Sequence, residues 1–258
     1  MEKPELEFSF KISNLPDGEP MTAGEIERIL LEQLGKGEIP EKKVLNNLHS
    51  LYAQSQMHEK TMAVLERLFE MVEDDEERAR YLLYLGQLME RMNDFPMAEN
   101  FYRDALVLKP QDPAVWYFIN NNLGFCLNKL GQFEDAERFL HTAIETDPSR
   151  SNAYKNLGLC FQGRGLFDNA AQCFIMATQV NAADPRSLRH LEILAREHPD
   201  LSSLIPEFDE TLKKCREAVQ IAKANQPDLI SCWNQRRNQK EEVRKKAKKA
   251  WWKFWNRK

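Results

Sequence analysis

Residues 117–150 read YFINNNLGFCLNKLGQFEDAERFLHTAIETDPSR, and residues 151–184 read SNAYKNLGLCFQGRGLFDNAAQCFIMATQVNAAD. Set one above the other, the two stretches agree at fixed offsets. Leu123-Gly124 aligns with Leu157-Gly158, Ala136 with Ala170, and Ala143 with Ala177. The pattern occurs once more upstream, at Leu85-Gly86, Ala98 and Ala105, with four extra residues before the next copy. Self-similarity at this period marks an array of stacked supersecondary units. With ten glycines among 258 residues, the composition favours helices over sheets.

Each repeated position has a physical reason. The glycine and the two alanines are small because two helices of a hairpin cross closely there. Between the alanines stands a bulky residue, Tyr102, Leu140 or Phe174. Phe95, Phe133 and Phe167, three residues before the first alanine, plug the joint between helices. Asn93, Gly131 and Gly165 tolerate the left-handed conformation that ends a first helix. Pro110 and Pro148, replaced by Ala182 in the last copy, end the second helix. The extra residues 113–116 predict an added helical turn, with Asp112 as N-cap, Pro113 as first residue and Trp116 lengthening the hydrophobic face.

On these positions the sequence resembles the tetratricopeptide repeat family, W-x2-L-G-x2-Y…A-x3-F…A…P, and YKNLGLCF at 154–161 is close to that consensus. The resemblance implies an all-α fold: a right-handed superhelix, or solenoid, of helix-turn-helix repeats with flanking capping helices. The expected organisation is an N-terminal arm and short helix (1–40), a degenerate repeat (41–75), and three repeats (79–112, 117–150 and 151–184). A partial repeat and capping helix (185–224) and a basic aromatic tail (225–258) follow.

The family also implies an inner groove lined by the first helices. Its contact positions fall on Arg80 and Gln87 in the first repeat, and on Phe118, Asn121, Asn122, Phe125 and Asn128 in the second. The third contributes Lys155 and Asn156, and Arg186 and Arg189 add charge at one end. An asparagine column at 122 and 156 would offer a donor and an acceptor to the backbone of an extended peptide. Some members grip chaperone-tail carboxylates with a Lys-Asn-Asn-Lys-Arg set. Here Asn156, Arg186 and in part His190 fit, but Asn121 and Phe125 stand where the first Lys and Asn belong, so that clamp is incomplete.

Upstream, residues 44–71 read as a further hairpin in which His49 and Thr61 replace small residues. Thr22-x-x-Glu25 is a capping box opening a short helix that ends near Gly35. Leu6, Phe8, Phe10 and Ile12 alternate, as in a strand-like arm. Downstream, 185–198 supplies another first helix. A helix over about 205–224, with Phe208, Leu212, Cys215, Ala218, Val219 and Ala222 on one stripe, has the profile of a cap.

Charge is unevenly distributed. Residues 233–258 contain eleven Lys or Arg against Glu241 and Glu242, a net +9 that leaves −13 on residues 1–232. In EEVRKKAKKAWWKFWNRK, Trp251, Phe254 and Trp255 share a helical stripe with Val243, Ala247 and Ala250. Lys245, Lys246 and Lys249 sit mostly elsewhere around that helix, and Trp252 stands beside the stripe. A basic amphipathic helix with an aromatic end suits an anionic membrane surface, and equally a docking site on a protein. Packing of the tail on the protein's own acidic surface is a further alternative, and nucleic acid is the less favoured partner, although the acidic body opposes a polyanion and an anionic membrane alike.

Catalysis is not expected. The five histidines show no HExxH pattern and no cysteine neighbours at metal spacing, and there is no glycine-rich phosphate loop or GxSxG. Metal and cofactor are therefore expected to be absent. Five cysteines without pairing pattern read as reduced thiols, and the acidic amino terminus lacks a signal-peptide core. A cytoplasmic protein that binds a protein or peptide partner, with membrane contact through the tail as the alternative, is the expectation.

Overall fold

The computed structural model describes residues 22–37 and 39–225, in which every regular element is an α-helix. In order these are α1 (Ala23–Lys36), α2 (Glu41–Gln54), α3 (His58–Glu70), α4 (Asp75–Arg91), α5 (Phe95–Val107) and α6 (Pro113–Lys129). Then come α7 (Phe133–Thr146), α8 (Ser151–Gly163), α9 (Phe167–Val180), α10 (Arg186–Glu197), α11 (Leu201–Leu204) and α12 (Phe208–Asn225). The chain divides into two compact units, one ending at Cys173 and the other beginning at Phe174.

In the first unit, consecutive helices pack as antiparallel hairpins whose turns are built alike. In the turns α2/α3, α4/α5, α6/α7 and α8/α9 a residue takes positive φ: Gln56 (57°), Asn93 (61°), Gly131 (75°) and Gly165 (74°). The amide of the following residue reaches back five positions in each case. Met57 donates to the Tyr52 carbonyl, Asp94 to Met89, Gln132 to Leu127 and Leu166 to Phe161, all at 2.9 Å. This closes the orphan carbonyls at the end of the first helix. The last three left-handed residues are those the sequence marks. Gln56 adds a fourth turn of the same form between α2 and α3.

The small residues act as expected. A Cβ on Gly86 would lie 2.4 Å from the Tyr102 ring, and one on Gly124 would lie 2.5 Å from Leu140 Cγ. Ala98, Ala105, Ala136 and Ala143 are fully buried. The phenylalanines work between repeats. Phe95 meets Phe125 of the next repeat edge-on at 6.0 Å. Phe133 lies where a Cβ on Gly163 would come within 2.4 Å of its ring.

The four added residues do form a helical turn. Asp112 caps α6 by accepting from the Ala114 amide at 2.8 Å, with Pro113 in the first turn. Glu76, in the first turn of α4, accepts from the backbone amides of Gln111 (2.6 Å) and Asp112 (3.4 Å), which ties the starts of α4 and α6 together. The Thr22–Glu25 capping box is present. Its helix runs past Gly35 to Lys36, because Gly37, at φ 65°, is the residue that takes the left-handed conformation. The alternating residues at 6–12 and the hinge after Asn225 lie outside the described residues.

In the second unit α12 packs against α10 and α11. Phe208, Leu212 and Cys215 of its stripe are buried, whereas Ala218, Val219 and Ala222 are half-buried.

Candidate functional site

The first helices α4, α6 and α8 lie side by side, α6 packing against α4 on one flank and α8 on the other. α2 continues the layer: Arg91 donates to the Ala53 carbonyl (3.2 Å), and His49 stacks on Tyr84 at 5.0 Å. This layer is the surface on which the family resemblance places the groove.

Most of the expected residues are half-exposed there. Arg80 pairs with Asp112 at 3.3 Å, and Gln87 and Lys155 are partly exposed. Phe118 is half-buried, edge-on to Tyr117 at 5.4 Å, with the Arg150 guanidinium 4.8 Å from its ring centre. Phe125 is also half-buried, with the Lys129 ammonium 5.4 Å from its ring centre. Asn128 donates to the Asn156 carbonyl at 2.8 Å, and its Oδ1 is buried with no hydrogen-bond partner among the described residues.

The asparagine column is not laid out as expected. Asn156 and Asn121 are only 5% and 6% exposed, and Asn156 Nδ2 donates to Asn121 Oδ1 at 3.0 Å. Asn121 Nδ2 donates to Asn122 Oδ1 at 2.9 Å, and Asn122 Nδ2 to the Tyr102 hydroxyl at 3.3 Å. Tyr102 in turn donates to Glu90 Oε1. A hydrogen-bonded chain thus runs Glu90–Tyr102–Asn122–Asn121–Asn156, from α4 through α5 and α6 to α8. A buried amide requires partners, and here the neighbouring repeat supplies them before any ligand can. Asn121 and Asn156 hold repeats together, and of the column only Asn122 stays half-exposed.

Two residues of this layer escape a motif search. Glu90 occupies a groove position, but beside Arg91 at a helix end it reads as an ordinary solvated charge. Burial pushes its carboxyl up to about 7, although the Tyr102 hydrogen bond and Arg91 act the other way. His49, in the glycine position of the degenerate hairpin, is pushed down to about 4 by burial, with Arg91 adding to the effect. Burial also raises the Cys126 thiol, so it is held as a neutral thiol. Among the described residues there is no cluster of three or more His, Cys, Asp or Glu able to hold a metal ion.

Arg186 and Arg189 belong to the second unit. Both are exposed, and Arg186 is held by the Asp184 carboxylate through Nε (2.8 Å) and Nη2 (2.6 Å). Lys245, Lys246, Lys249, Trp251, Trp252, Phe254 and Trp255 lie outside the described residues. No helix among the described residues is long and apolar enough to cross a membrane.

The sequence profile described as tetratricopeptide repeat matches residues 91–158, which span the α4–α5 turn to the Gly158 position. Residues 91–158 are tetratricopeptide-repeat sequence. Among curated relatives, human tetratricopeptide repeat protein 7A is 29% identical over 105 residues, covering 40% of this chain and 12% of that protein. The chain therefore matches only a small part of the relative's length. Among solved structures, MamA from Desulfovibrio magneticus RS-1 superposes with a TM-score of 0.56 at 18% identity, covering 73% of this chain and 99% of that one. BtubC from P. vanneervenii gives 0.60 at 16% identity, over 78% and 89%. YrrB, described as a TPR protein with an unusual peptide-binding site, gives 0.52 at 17% identity, over 66% and 84%. At these identities the likeness is one of fold: an all-α solenoid of helical hairpins.

Proposed function

We propose that this protein is a non-catalytic cytoplasmic scaffold that holds an extended segment of a partner protein on the layer formed by α4, α6 and α8. The observation that carries the reading is the pair of half-exposed aromatic rings, Phe118 and Phe125, on a layer whose buried amides are already bonded across repeats. Such a layer is pre-organised, so a ligand meets apolar anchors without having to order the surface first. The structural likeness to YrrB, with its peptide-binding site, supports the reading. A second reading, contact of the tail with an anionic membrane surface, rests on the composition of residues 239–258 alone.

Panning a random peptide library on the full chain tests the groove. Enriched peptides should lose at least about tenfold in affinity on the Phe118→Ala/Phe125→Ala variant, since truncating buried aromatic anchors costs upward of ~1–2 kcal/mol, with helical content measured by circular dichroism unchanged. Enriched peptides that bind the double variant as tightly as the parent would place the site elsewhere.

A further inference from the structure

α1 is the first helix of the described array, and it packs chiefly on α2, with Ile26 and Leu30 buried. Glu27 is drawn inward too, accepting from the Tyr52 hydroxyl at 2.8 Å and the Lys60 ammonium at 2.6 Å. Gly24, Arg28, Leu31 and Gly35 follow at i, i+4, i+7 and i+11, one stripe of a helix. All four are exposed, Leu31 by 47%. Gly24, Arg28 and Leu31, with Glu27 and Glu32, line a depression of about 430 Å³. A terminal unit of a repeat array needs a polar outer face, and a stripe of two glycines and a leucine around one arginine is a poor one.

The glycines of the stripe set α1 apart. A Cβ on Gly86, Gly124 or Gly163 would come within 2.4 or 2.5 Å of a neighbouring side chain, so packing inside the array requires those glycines. A Cβ on Gly24 or Gly35 would meet nothing within 4 Å. The left-handed end of α1 falls to Gly37, so backbone conformation does not require them either. Glycine disfavours a helix more than any residue but proline. Two of them on one exposed stripe fit a surface that another stretch of backbone approaches closely.

The chain carries a segment that matches this surface. Leu6, Phe8, Phe10 and Ile12 alternate with Glu7, Ser9 and Lys11, so an extended stretch here is apolar on one side only. Between it and α1 stands Pro16-Asp17-Gly18, a turn signal that sends the chain back on itself. The lengths agree: residues 6–12 span about 20 Å when extended, and the 14 residues of α1 rise about 20 Å. Laid antiparallel, Ile12 falls by Gly24, Phe10 by Arg28, Phe8 by Leu31 and Leu6 by Gly35. A guanidinium is a favourable neighbour for an aromatic face.

We propose that the outer stripe of α1 is the seat of the chain's own amino-terminal arm, with Leu6, Phe8, Phe10 and Ile12 laid against Gly24, Arg28, Leu31 and Gly35. The short connection through residues 13–21 keeps the arm at high effective concentration, which favours it over a second copy of the chain. Seated there, it closes the end of the array that α1 leaves open, whatever the layer of α4, α6 and α8 binds.

A photo-crosslinker at the centre of the stripe tests the seat in the full chain. Irradiating the Leu31→p-benzoylphenylalanine variant, mixed with an equal amount of the same variant labelled with ¹⁵N, should join residue 31 to residues 6–12 within single chains. Phe8→Ser/Phe10→Ser should cut that yield by at least roughly tenfold, since burying even one phenylalanine is worth more than that factor. Adducts that pair labelled with unlabelled chains would give the stripe to a second copy and overturn the proposal, as would adducts that avoid residues 1–21. Hydrogen exchange checks the seat without the crosslinker. Amides of α1 should exchange at least roughly tenfold faster in Phe8→Ser/Phe10→Ser than in the parent, by the same loss of burial, while those of α4 to α6 stay level. Equal exchange of α1 in the two chains overturns the proposal as well.

Discussion

The hairpins α4/α5 and α6/α7 share a small-against-large joint and differ in what fills it. In the first, Gly86 faces the Tyr102 ring; in the second, Gly124 faces Leu140. Both large residues are fully buried. Leucine ends at its methyl groups, so the large side chain of the second joint makes no polar link. Tyrosine carries a hydroxyl past the glycine to Glu90 on one side and Asn122 on the other, which makes the first joint the start of an inter-repeat chain. One position in the repeat therefore supplies either packing alone or packing plus a polar link.

Removing the large residues should have the largest effect. Tyr102→Ala should cost about 3–5 kcal/mol and Leu140→Ala about 2–5 kcal/mol in urea denaturation, by the cavity each leaves. Tyr102→Ala should stand at the upper end because Glu90 and Asn122 also lose a partner. A Leu140→Ala cost clearly above that of Tyr102→Ala would show that the hydroxyl contributes nothing.

Filling the glycines comes next. Gly86→Ala and Gly124→Ala should each cost about 1–3 kcal/mol, because overpacking outweighs the roughly 1 kcal/mol gained in helix propensity. At Gly124 the obstacle is a branch carbon and the Ala136 carbonyl at 3.3 Å. At Gly86 it is a ring edge anchored through its hydroxyl. Combining Gly86→Ala with Tyr102→Phe should then cost less than the two changes summed. A strictly additive result would mean that the hydroxyl does not pin the ring.

The pH dependence of the first joint comes last, with an upper bound comparable to the cost of the glycine substitutions. Glu90 has its folded pKa raised to about 7 from the ordinary 4.5, by burial. Its contribution to stability is fully present at low pH and is lost as pH rises from about 5 through 7, reaching on the order of 3 kcal/mol at most. Glu90→Gln keeps an acceptor for Tyr102 and has no proton to lose. The denaturation midpoint of the parent relative to Glu90→Gln should therefore fall between pH 5 and 8 and level off above. A flat difference over that range would show that Glu90 is solvated in the folded chain.

Much of the fold is legible because small residues and turn residues are rare events at fixed spacing. Gly86, Gly124, Gly131 and Gly165 can be read directly, and Asp112-Pro113 announces the added turn. Gln56 takes the same left-handed conformation without a signal, since tertiary packing imposes it on a residue that any helix would accept. The candidate site is less legible, because a groove position says where a side chain sits along a helix but not what it bonds. Asn122 and Asn156 occupy equivalent positions, yet Asn156 is bonded to Asn121 in its neighbour and Asn122 to Tyr102. Glu90 illustrates the same limit, for its environment is made by α5 and α6 rather than by its own helix.

The chain of bonds from Glu90 to Asn156 bears on how interchangeable the repeats are. Repeat arrays are often pictured as modules that can be inserted, deleted or shuffled because each touches only its neighbours. Here the link differs from one junction to the next: a tyrosine of one repeat to an asparagine of the next, and an asparagine pair across the junction after that. The starts of α4 and α6 are likewise tied by Glu76 to the backbone of residues 111 and 112. A repeat moved elsewhere in this array would arrive without its correspondents, so the order of the repeats is written into their polar interior as well as into the sequence of the chain.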